Sequence, residues 1–172
     1  MGTAPRKLRS LRQPPILVTT TVTETFATIL KDQLSFLSKH FRLAAAASHD
    51  RHAETVTARE GISVYPVPMH RGISPFRDIV SIFRMVNTIR RHRPVLVHSY
   101  TPKAGLVTMV AAFLCRVPVR VHTFTGLIFP SQTGAKRIIL KAIDRLICLL
   151  ATTVVPEGEG VKAVLQEEGV TK

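Results

Sequence analysis

The sequence predicts an α/β fold with a mostly parallel, Rossmann-like sheet that carries helices on both faces. Short apolar strand candidates alternate with amphipathic helix candidates along its 172 residues. The alternation is clearest over residues 95–130, where two apolar strands at 95–97 and 119–121 flank one alanine-rich helix. Two strands joined by one helix form neighbouring parallel strands with a right-handed crossover.

The first half of the chain follows the same alternation. A first strand is predicted over 15–18, and a helix over 25–39 follows because its apolar residues recur at helical spacing. The alanine-rich residues 41–47 and the apolar positions within 62–67 predict two more strands. The polar segment 49–61 between them is predicted to form a short helix and a loop.

A long helix is predicted to begin at Ser74 and Pro75, because serine caps helices and proline suits the first helical position. It is predicted to end near residue 92, before Pro94. Its apolar side is predicted to consist of Phe76, Ile79, Val80, Phe83, Val86 and Ile89. The opposite side carries a basic stripe of residues spaced seven apart, namely Arg77, Arg84 and Arg91.

Three elements follow residue 130: an amphipathic helix over 136–150, a strand over 152–155 and a closing helix over 161–168. The predicted domain therefore covers residues 15–172, after a basic, flexible arm over 1–14. The apolar run behind the arm is too short for a signal peptide, which favours a cytoplasmic protein. Cys115 and Cys148 lie in apolar helical patterns and are expected to be reduced, with a disulfide as the alternative.

The formal net charge of +13 is the strongest signal in the composition. The 45% of hydrophobic residues and 20% of charged residues are typical of a globular protein and exclude a disordered chain. Such a charge favours an anionic partner, which can be nucleic acid, an anionic membrane or a phosphorylated ligand, although a simply solvated surface also explains it.

Polar side chains follow several predicted strands at the point where each strand ends. Because parallel strands end at the same edge, His98 and His122 are expected to lie together there, and open parallel sheets bind ligands at this edge. The same edge is expected to carry Thr20, Glu24, Thr101, Lys103, Thr123, Thr125, Gly126 and Glu157. Structural alternatives stay open for several of them: Thr20, Thr101 and Thr123 can cap helices or satisfy turns, a histidine after a strand can be a structural group, and Glu157 can complement the dipole of the last helix. Lys103 can be a solvated lysine, but a lysine is unfavourable at a helix start unless an anion lies nearby, which favours a functional role.

Motifs of other nucleotide-binding enzymes are missing from the sequence. The turn after the first strand contains no glycine, which argues against a dinucleotide site, and no Walker lysine is present. No metal-ligand spacing is visible either, so metal-independent chemistry is expected.

Five segments resemble the N-terminal half of bacterial family 4 glycosyltransferases, which are GT-B-fold enzymes of capsule, exopolysaccharide and O-antigen assembly. They are VTTTVTETF (18–26), VPMHRGISP (67–75), VHSYTPKAGL (97–106), VRVHTFTGLIFP (119–130) and VVPEGEGVKAVL (154–165). The resemblance covers the chain after the basic arm, with the motifs in the family's order.

The resemblance implies an acceptor-binding domain that faces a second, donor-binding domain across a cleft. That second domain lies outside these residues and would hold most of the nucleotide-sugar site. The implied acceptor is a polyprenyl-diphosphate-linked saccharide at the membrane surface, and no cofactor is expected beyond the nucleotide-sugar substrate.

The resemblance also implies roles for single residues. His122 matches the family's cleft histidine near the transferred sugar and is therefore the expected catalytic residue. Thr20 and Glu24 match the loop that faces the acceptor. His98, Thr101 and Lys103 fall in a frequent His-x-His-Thr-Pro-x-Ala pattern, and tyrosine replaces its second histidine at position 100. The remaining acceptor-binding positions are Thr123, Thr125, Gly126 and Glu157.

The high positive charge then suggests a peripheral location at the inner face of the plasma membrane. Basic residues near an anionic leaflet contribute about 1 kcal/mol each to binding. The expected membrane-facing residues are Arg77, Arg84, Arg91, Lys136, Arg137 and Lys141.

Two other functions stay open from the sequence alone. One is a catalytically inert module, derived from such an enzyme, that docks on a membrane or a transferase partner. The other is a nucleic-acid-binding domain, which is disfavoured because aromatic residues make up only 6% and are not interleaved with the basic runs.

Overall fold

A parallel sheet of six strands forms the centre of the computed structural model, which describes residues 13–171. The strands are β1 (Pro15–Val22), β2 (Arg42–Ser48), β3 (Val64–Pro66), β4 (Leu96–Tyr100), β5 (Val119–Phe124) and β6 (Thr153–Pro156). Their spatial order is β3-β2-β1-β4-β5-β6, and every neighbouring pair is parallel. The predicted α/β class is therefore confirmed.

Seven helices cover the sheet in the described residues. They are α1 (Thr23–Ala27), α2 (Gln33–Ser38), α3 (Ala53–Glu60), α4 (Pro75–His92), α5 (Pro102–Leu114), α6 (Gly134–Leu150) and α7 (Glu159–Glu167), with a 3-10 turn at Phe129–Ser131. The two halves of the chain cover opposite faces, α1 to α3 one face and α4 to α7 the other.

Alternation along β1 creates the two cores. Val18 packs with Phe26 and Leu34 on the side of α1 to α3, whereas Leu17 packs with Met85 and Ile147 on the side of α4 to α7. Successive residues of a strand point to opposite faces, so a central strand buried on both sides is apolar without interruption.

The continuous helix predicted over 25–39 is wrong, because the chain turns between α1 and α2. Asp32 adopts a left-handed conformation with φ of 64°. The buried carboxylate of Glu60 accepts hydrogen bonds from the backbone N–H groups of Asp32 and Ser35, at 2.9 and 3.0 Å. This long-range cap satisfies the free backbone N–H groups at the start of α2 and so stabilises the separation of α1 from α2.

The predicted apolar side of α4 is wrong for its first turns. Phe76 and Phe83 are 87% and 67% exposed, and Ile79 and Val80 are exposed as well. Buried instead are Asp78, Ser81, Met85, Val86 and Ile89, of which the last two were predicted. Ion pairing of Asp78 and a hydrogen bond from Ser81 to the Pro68 carbonyl turn this face inward. Ser74 precedes the helix as predicted, but its side chain makes no capping bond.

Other expectations concern the ends and the thiols. The basic arm predicted over 1–14 lies outside the described residues except for its last two positions. Cys115 and Cys148 are free thiols, as predicted.

Candidate functional site

A cavity of about 360 Å³ opens at the carboxyl end of the sheet. It lies where β1 and β4 meet, which is the point at which the strand order reverses. Open α/β sheets bind ligands at this crevice, because the flanking connections diverge to opposite faces there. The wall residues are Thr21, Val22, Thr25, Arg71, Gly72, Ile73, Thr101, Pro102, Lys103, Leu106, Ile128, Lys136, Leu140, Ile143 and Asp144.

Two threonines join the strand ends at the base of this cavity. The Thr101 hydroxyl accepts a hydrogen bond from the Thr21 backbone N–H at 3.1 Å and lies 2.7 Å from the Thr21 hydroxyl. Thr101 has φ of 71°, a left-handed conformation that costs a threonine about 1–3 kcal/mol. The bonds to Thr21 hold it there, so that α5 begins directly at the cavity wall.

Lys103 has a partner inside the fold. Its Nζ lies 2.8 and 2.7 Å from the two carboxylate oxygens of Asp78 on α4. Both side chains are about nine-tenths buried. Asp78 is therefore the anion that the lysine requires at the start of α5, whether or not a ligand phosphate also approaches it.

His98 and His122 lie at the same edge of the sheet, as expected, but they occupy opposite faces of it. His98 pairs in register with Val121, while His122 pairs with Ser99. Residues paired across parallel strands share a face and successive residues alternate, so the two rings point away from each other. The shared edge was correctly inferred from the topology, whereas the face depends on the register.

His122 is fully buried behind the cavity wall rather than on it. Its Nδ1 lies 2.8 Å from the Ser99 hydroxyl, and its ring packs edge-on against Phe124. Its Nε2 is buried without a hydrogen-bond partner among residues 13–171. Burial lowers the pKa of His122 to about 3, so the ring is neutral at pH 7.

His98 forms a second polar group on the opposite face. Its Nε2 lies 2.8 Å from the Thr123 hydroxyl, and its Nδ1 lies 3.2 Å from the hydroxyl of Tyr100. Burial lowers the pKa of His98 to about 4. The predicted residues His98 and Thr123 thus contact each other, and Tyr100 has a structural role in the same cluster.

Most of the other predicted acceptor residues lie off the cavity wall. The Thr20 hydroxyl donates to the Val22 carbonyl at 2.9 Å, and Glu24 faces Arg71 at 3.4 Å. Thr125 and Gly126 are half-buried just beyond β5, and Glu157 is exposed after β6. Of the predicted acceptor residues, Thr101 and Lys103 line the cavity.

The predicted basic residues divide into two groups. Arg77, Arg84 and Arg91 are exposed along α4, and Lys136 is exposed at the cavity. Arg137 and Lys141 instead bind Glu168 near the end of α7, at 2.6 and 2.7 Å. That shared carboxylate draws these two cations toward α7, which the sequence spacing did not indicate.

Asp144 lines the cavity and was missed by the sequence reasoning. It lies on the inward face of α6 with Leu140 and Ile147, and only 4% of it is exposed. An aspartate within the apolar stripe of an amphipathic helix was the available signal.

Burial raises the pKa of the Asp144 carboxyl to about 7, from an ordinary value of 3.8. Between these two pKa values the folded protein keeps a proton on Asp144 that the unfolded chain has released. The free energy of unfolding therefore falls as the pH rises from the lower pKa to the higher one.

The profile of the glycosyl transferase 4-like domain family matches residues 6–172. The chain belongs to this family. The resemblance identified from the sequence motifs is thereby confirmed.

Two curated proteins are similar to this glycosyl transferase 4-like chain. Staphylococcus aureus CapM, named a capsular polysaccharide biosynthesis glycosyltransferase, is 28% identical over 134 residues, covering 78% of this chain and 35% of CapM. An Escherichia coli UDP-Gal:alpha-D-GlcNAc-diphosphoundecaprenol alpha-1,3-galactosyltransferase is 31% identical over 101 residues, covering 52% and 26% respectively. The chain thus spans about a third or less of either relative.

Solved structures share the fold at low identity. UDP-N-acetylglucosamine 2-epimerase from Rickettsia bellii superposes with a TM-score of 0.69 at 12% identity, over 93% of this chain and 43% of that chain. Acinetobacter baumannii MurG superposes with a TM-score of 0.57 at 11% identity, over 84% and 42%. At such identities the likeness shows the fold alone.

Proposed function

We propose that this chain is the acceptor-binding half of a glycosyltransferase of surface polysaccharide assembly. In this proposal it binds a polyprenyl-diphosphate-linked saccharide, and a further donor-binding domain brings the nucleotide sugar to the same edge. Family membership supports the reaction class. The names of the two relatives, one for capsular polysaccharide and one for a diphosphoundecaprenol-linked GlcNAc, support the kind of acceptor.

The observation that carries the proposal is the mixed lining of the cavity at the strand reversal. Its walls combine apolar side chains such as Leu106 and Ile143 with the hydroxyls of Thr21, Thr25 and Thr101. Arg71 and Lys136 add exposed positive charge. A lipid-linked saccharide offers matching chemistry, because its sugar has hydroxyls and C–H faces and its diphosphate is anionic.

Within this proposal some predicted residues contact the acceptor, and others only support the cavity wall. Thr101 and Lys103 lie on the cavity wall, and Lys103 keeps its charge balanced by Asp78. We assign no bond-making step to His122, because its ring is fully buried. His122 acts as a positioning residue that supports the first turn of α5 from behind. Among the described residues no group of three histidine, cysteine or acidic side chains could hold a metal, and metal-independent transfer stays a prediction.

A lysine-to-glutamine pair tests acceptor binding. Lys136→Gln removes an exposed charge at the cavity, so the affinity for a short-chain polyprenyl-diphosphate N-acetylglucosamine should fall about fivefold. Lys31→Gln removes another exposed charge, between α1 and α2 and away from the cavity lining, and should leave this affinity unchanged. Isothermal titration of both variants and the wild type measures the difference. A wild type that does not bind this acceptor would favour the inert docking module.

Membrane docking is part of the same proposal. Next to the cavity, the residue Ile73 before α4 and the first turns of α4 form an exposed apolar surface, which we call the α4 apolar patch. Its five residues are Ile73, Phe76, Ile79, Val80 and Phe83. Ile73 also lines the cavity, and Arg77 and Arg84 flank the patch. None of the helices between residues 13 and 171 is long and apolar enough to cross a bilayer. Exposed aromatic residues beside basic ones suit a surface that inserts shallowly among anionic headgroups.

We expect the double variant Phe76→Ser with Phe83→Ser to bind phosphatidylglycerol vesicles about tenfold more weakly, because two large apolar side chains no longer leave water. Phe36→Ser is the matched control, since Phe36 is also exposed but lies on α2 in the opposite helix layer. Vesicle co-sedimentation at fixed salt gives the comparison. Equal loss in both variants would assign the binding to general hydrophobicity instead of this patch.

A further inference from the structure

Asp144 is a largely buried residue whose carboxylate borders the cavity and has no hydrogen-bond partner among residues 13–171. It stands on the cavity wall with 4% of its surface exposed. Across residues 13–171 its oxygens take part in no hydrogen bond and no ion pair, although other buried acids such as Asp78 and Glu60 are fully engaged. Its oxygens are not among the fully enclosed polar atoms, so they are open to the cavity and can accept hydrogen bonds from a molecule bound there.

The cations around the cavity do not complete it. Lys103 is held by Asp78, and Arg71 is exposed and faces Glu24. Lys136 lies two turns before Asp144 on α6 and is solvated. What the carboxylate lacks is therefore a hydrogen-bond donor inside the cavity, not a counterion at its mouth.

The walls beside Asp144 limit what that donor can be. Leu140 and Ile143 flank it on α6, and Leu106 faces the same space from α5. Apolar walls that carry a carboxylate, together with the threonine hydroxyls of the same cavity, suit a molecule with C–H faces and hydroxyl groups, which is the chemistry of a pyranose. A phosphate placed equally deep would be repelled by the carboxylate, whereas at the mouth it would meet Arg71 and Lys136.

We infer that Asp144 is a binding residue for the acceptor, accepting charge-assisted hydrogen bonds from hydroxyls of its terminal sugar while the diphosphate stays at the mouth. The inference rests on the proposed function and goes further, because it fixes the orientation of the acceptor and names a specificity-determining residue. It also predicts that the saccharide, rather than the lipid diphosphate, is what Asp144 recognises.

Asp144→Asn tests this with two probes, a short-chain polyprenyl-diphosphate N-acetylglucosamine and the same polyprenyl diphosphate without sugar. We expect the variant to bind the sugar-bearing probe at least about tenfold more weakly and the sugar-free probe as tightly as the wild type. Glu167→Gln, an exposed carboxylate on α7, is the control and should alter neither affinity.

Thermal unfolding at pH 8 separates ligand binding from a structural role. If Asp144 is unsatisfied in the free protein, Asp144→Asn and Asp144→Leu should raise Tm by about 5 °C, because each removes a buried charge. A Tm that falls in both variants would show that the carboxylate supports the fold. That result would overturn the role assigned to Asp144 and leave the proposed function standing.

The binding results distinguish the two levels of the proposal. Equal affinity of Asp144→Asn and wild type for the sugar-bearing probe overturns the role of Asp144 and leaves acceptor binding standing. A wild type that binds neither probe overturns the proposed function, and the inference with it.

Discussion

Lys103→Met is expected to lower the free energy of unfolding by about 3–5 kcal/mol, because it leaves the carboxylate of Asp78 buried and unpaired. The lysine Nζ contacts both oxygens of that carboxylate, and the two side chains are only 10% and 11% exposed. The pair joins the start of α5 to the first turn of α4, so its loss should also loosen the cavity wall. Urea denaturation at pH 7 measures the change.

A surface ion pair provides the comparison. Lys162→Met breaks a pair with Glu159 at 3.3 Å in which both side chains are well exposed, and should cost less than about 1 kcal/mol. The double variant Lys103→Met with Asp78→Leu should recover most of the lost stability, since no charge is then left without a partner. A double variant as unstable as Lys103→Met would mean that the lysine contributes by packing instead of by charge.

Gly105→Ala should destabilise the protein by about 3 kcal/mol through a steric clash in the first turns of α5. A Cβ at this position would lie 2.5 Å from His122 Cε1, 2.9 Å from its Nδ1 and 3.0 Å from Ile147 Cδ1. The imidazole cannot easily retreat, because it is fully buried and hydrogen-bonded to Ser99. Glycine at 105 therefore permits the close approach of α5 to β5.

A double-mutant cycle identifies the clash partner. His122→Ala should reduce the cost of Gly105→Ala by about 1–2 kcal/mol, because the two residues are in direct contact. Gly160→Ala is the control: nothing lies within 4 Å of its added Cβ, and alanine is the better helix former within α7. Additive effects of the two changes at 105 and 122 would contradict the proposed contact, as would an equal loss from Gly160→Ala.

The same contact explains what His122 contributes. The sequence pattern placed a histidine at the end of a strand beside a predicted ligand edge, and an exposed catalytic group was the natural expectation. In the structure its side chain belongs to the interior layer between β5 and α5. Whether a strand-end side chain meets solvent depends on which helix covers that face of the strand, and this is a property of the packed sheet.

The alternation of apolar strands and amphipathic helices was sufficient to determine the α/β class, the parallel sheet and the edge where the strands end. These features follow from hydropathy within single elements, which the sequence displays directly. Family motifs added the reaction class. Which side chains line the cavity depends instead on contacts between different helices and strands.

Three outcomes needed the tertiary structure. The inward face of α4 is set by the pairing of Asp78 with Lys103, which is 25 residues away. The separation of His98 from His122 follows from strand register. The position of Asp144 on the cavity wall depends on how α6 packs beside α5. In each case the deciding contact joins residues far apart in the chain. The hydropathy pattern within one helix or strand does not indicate which other element it will contact.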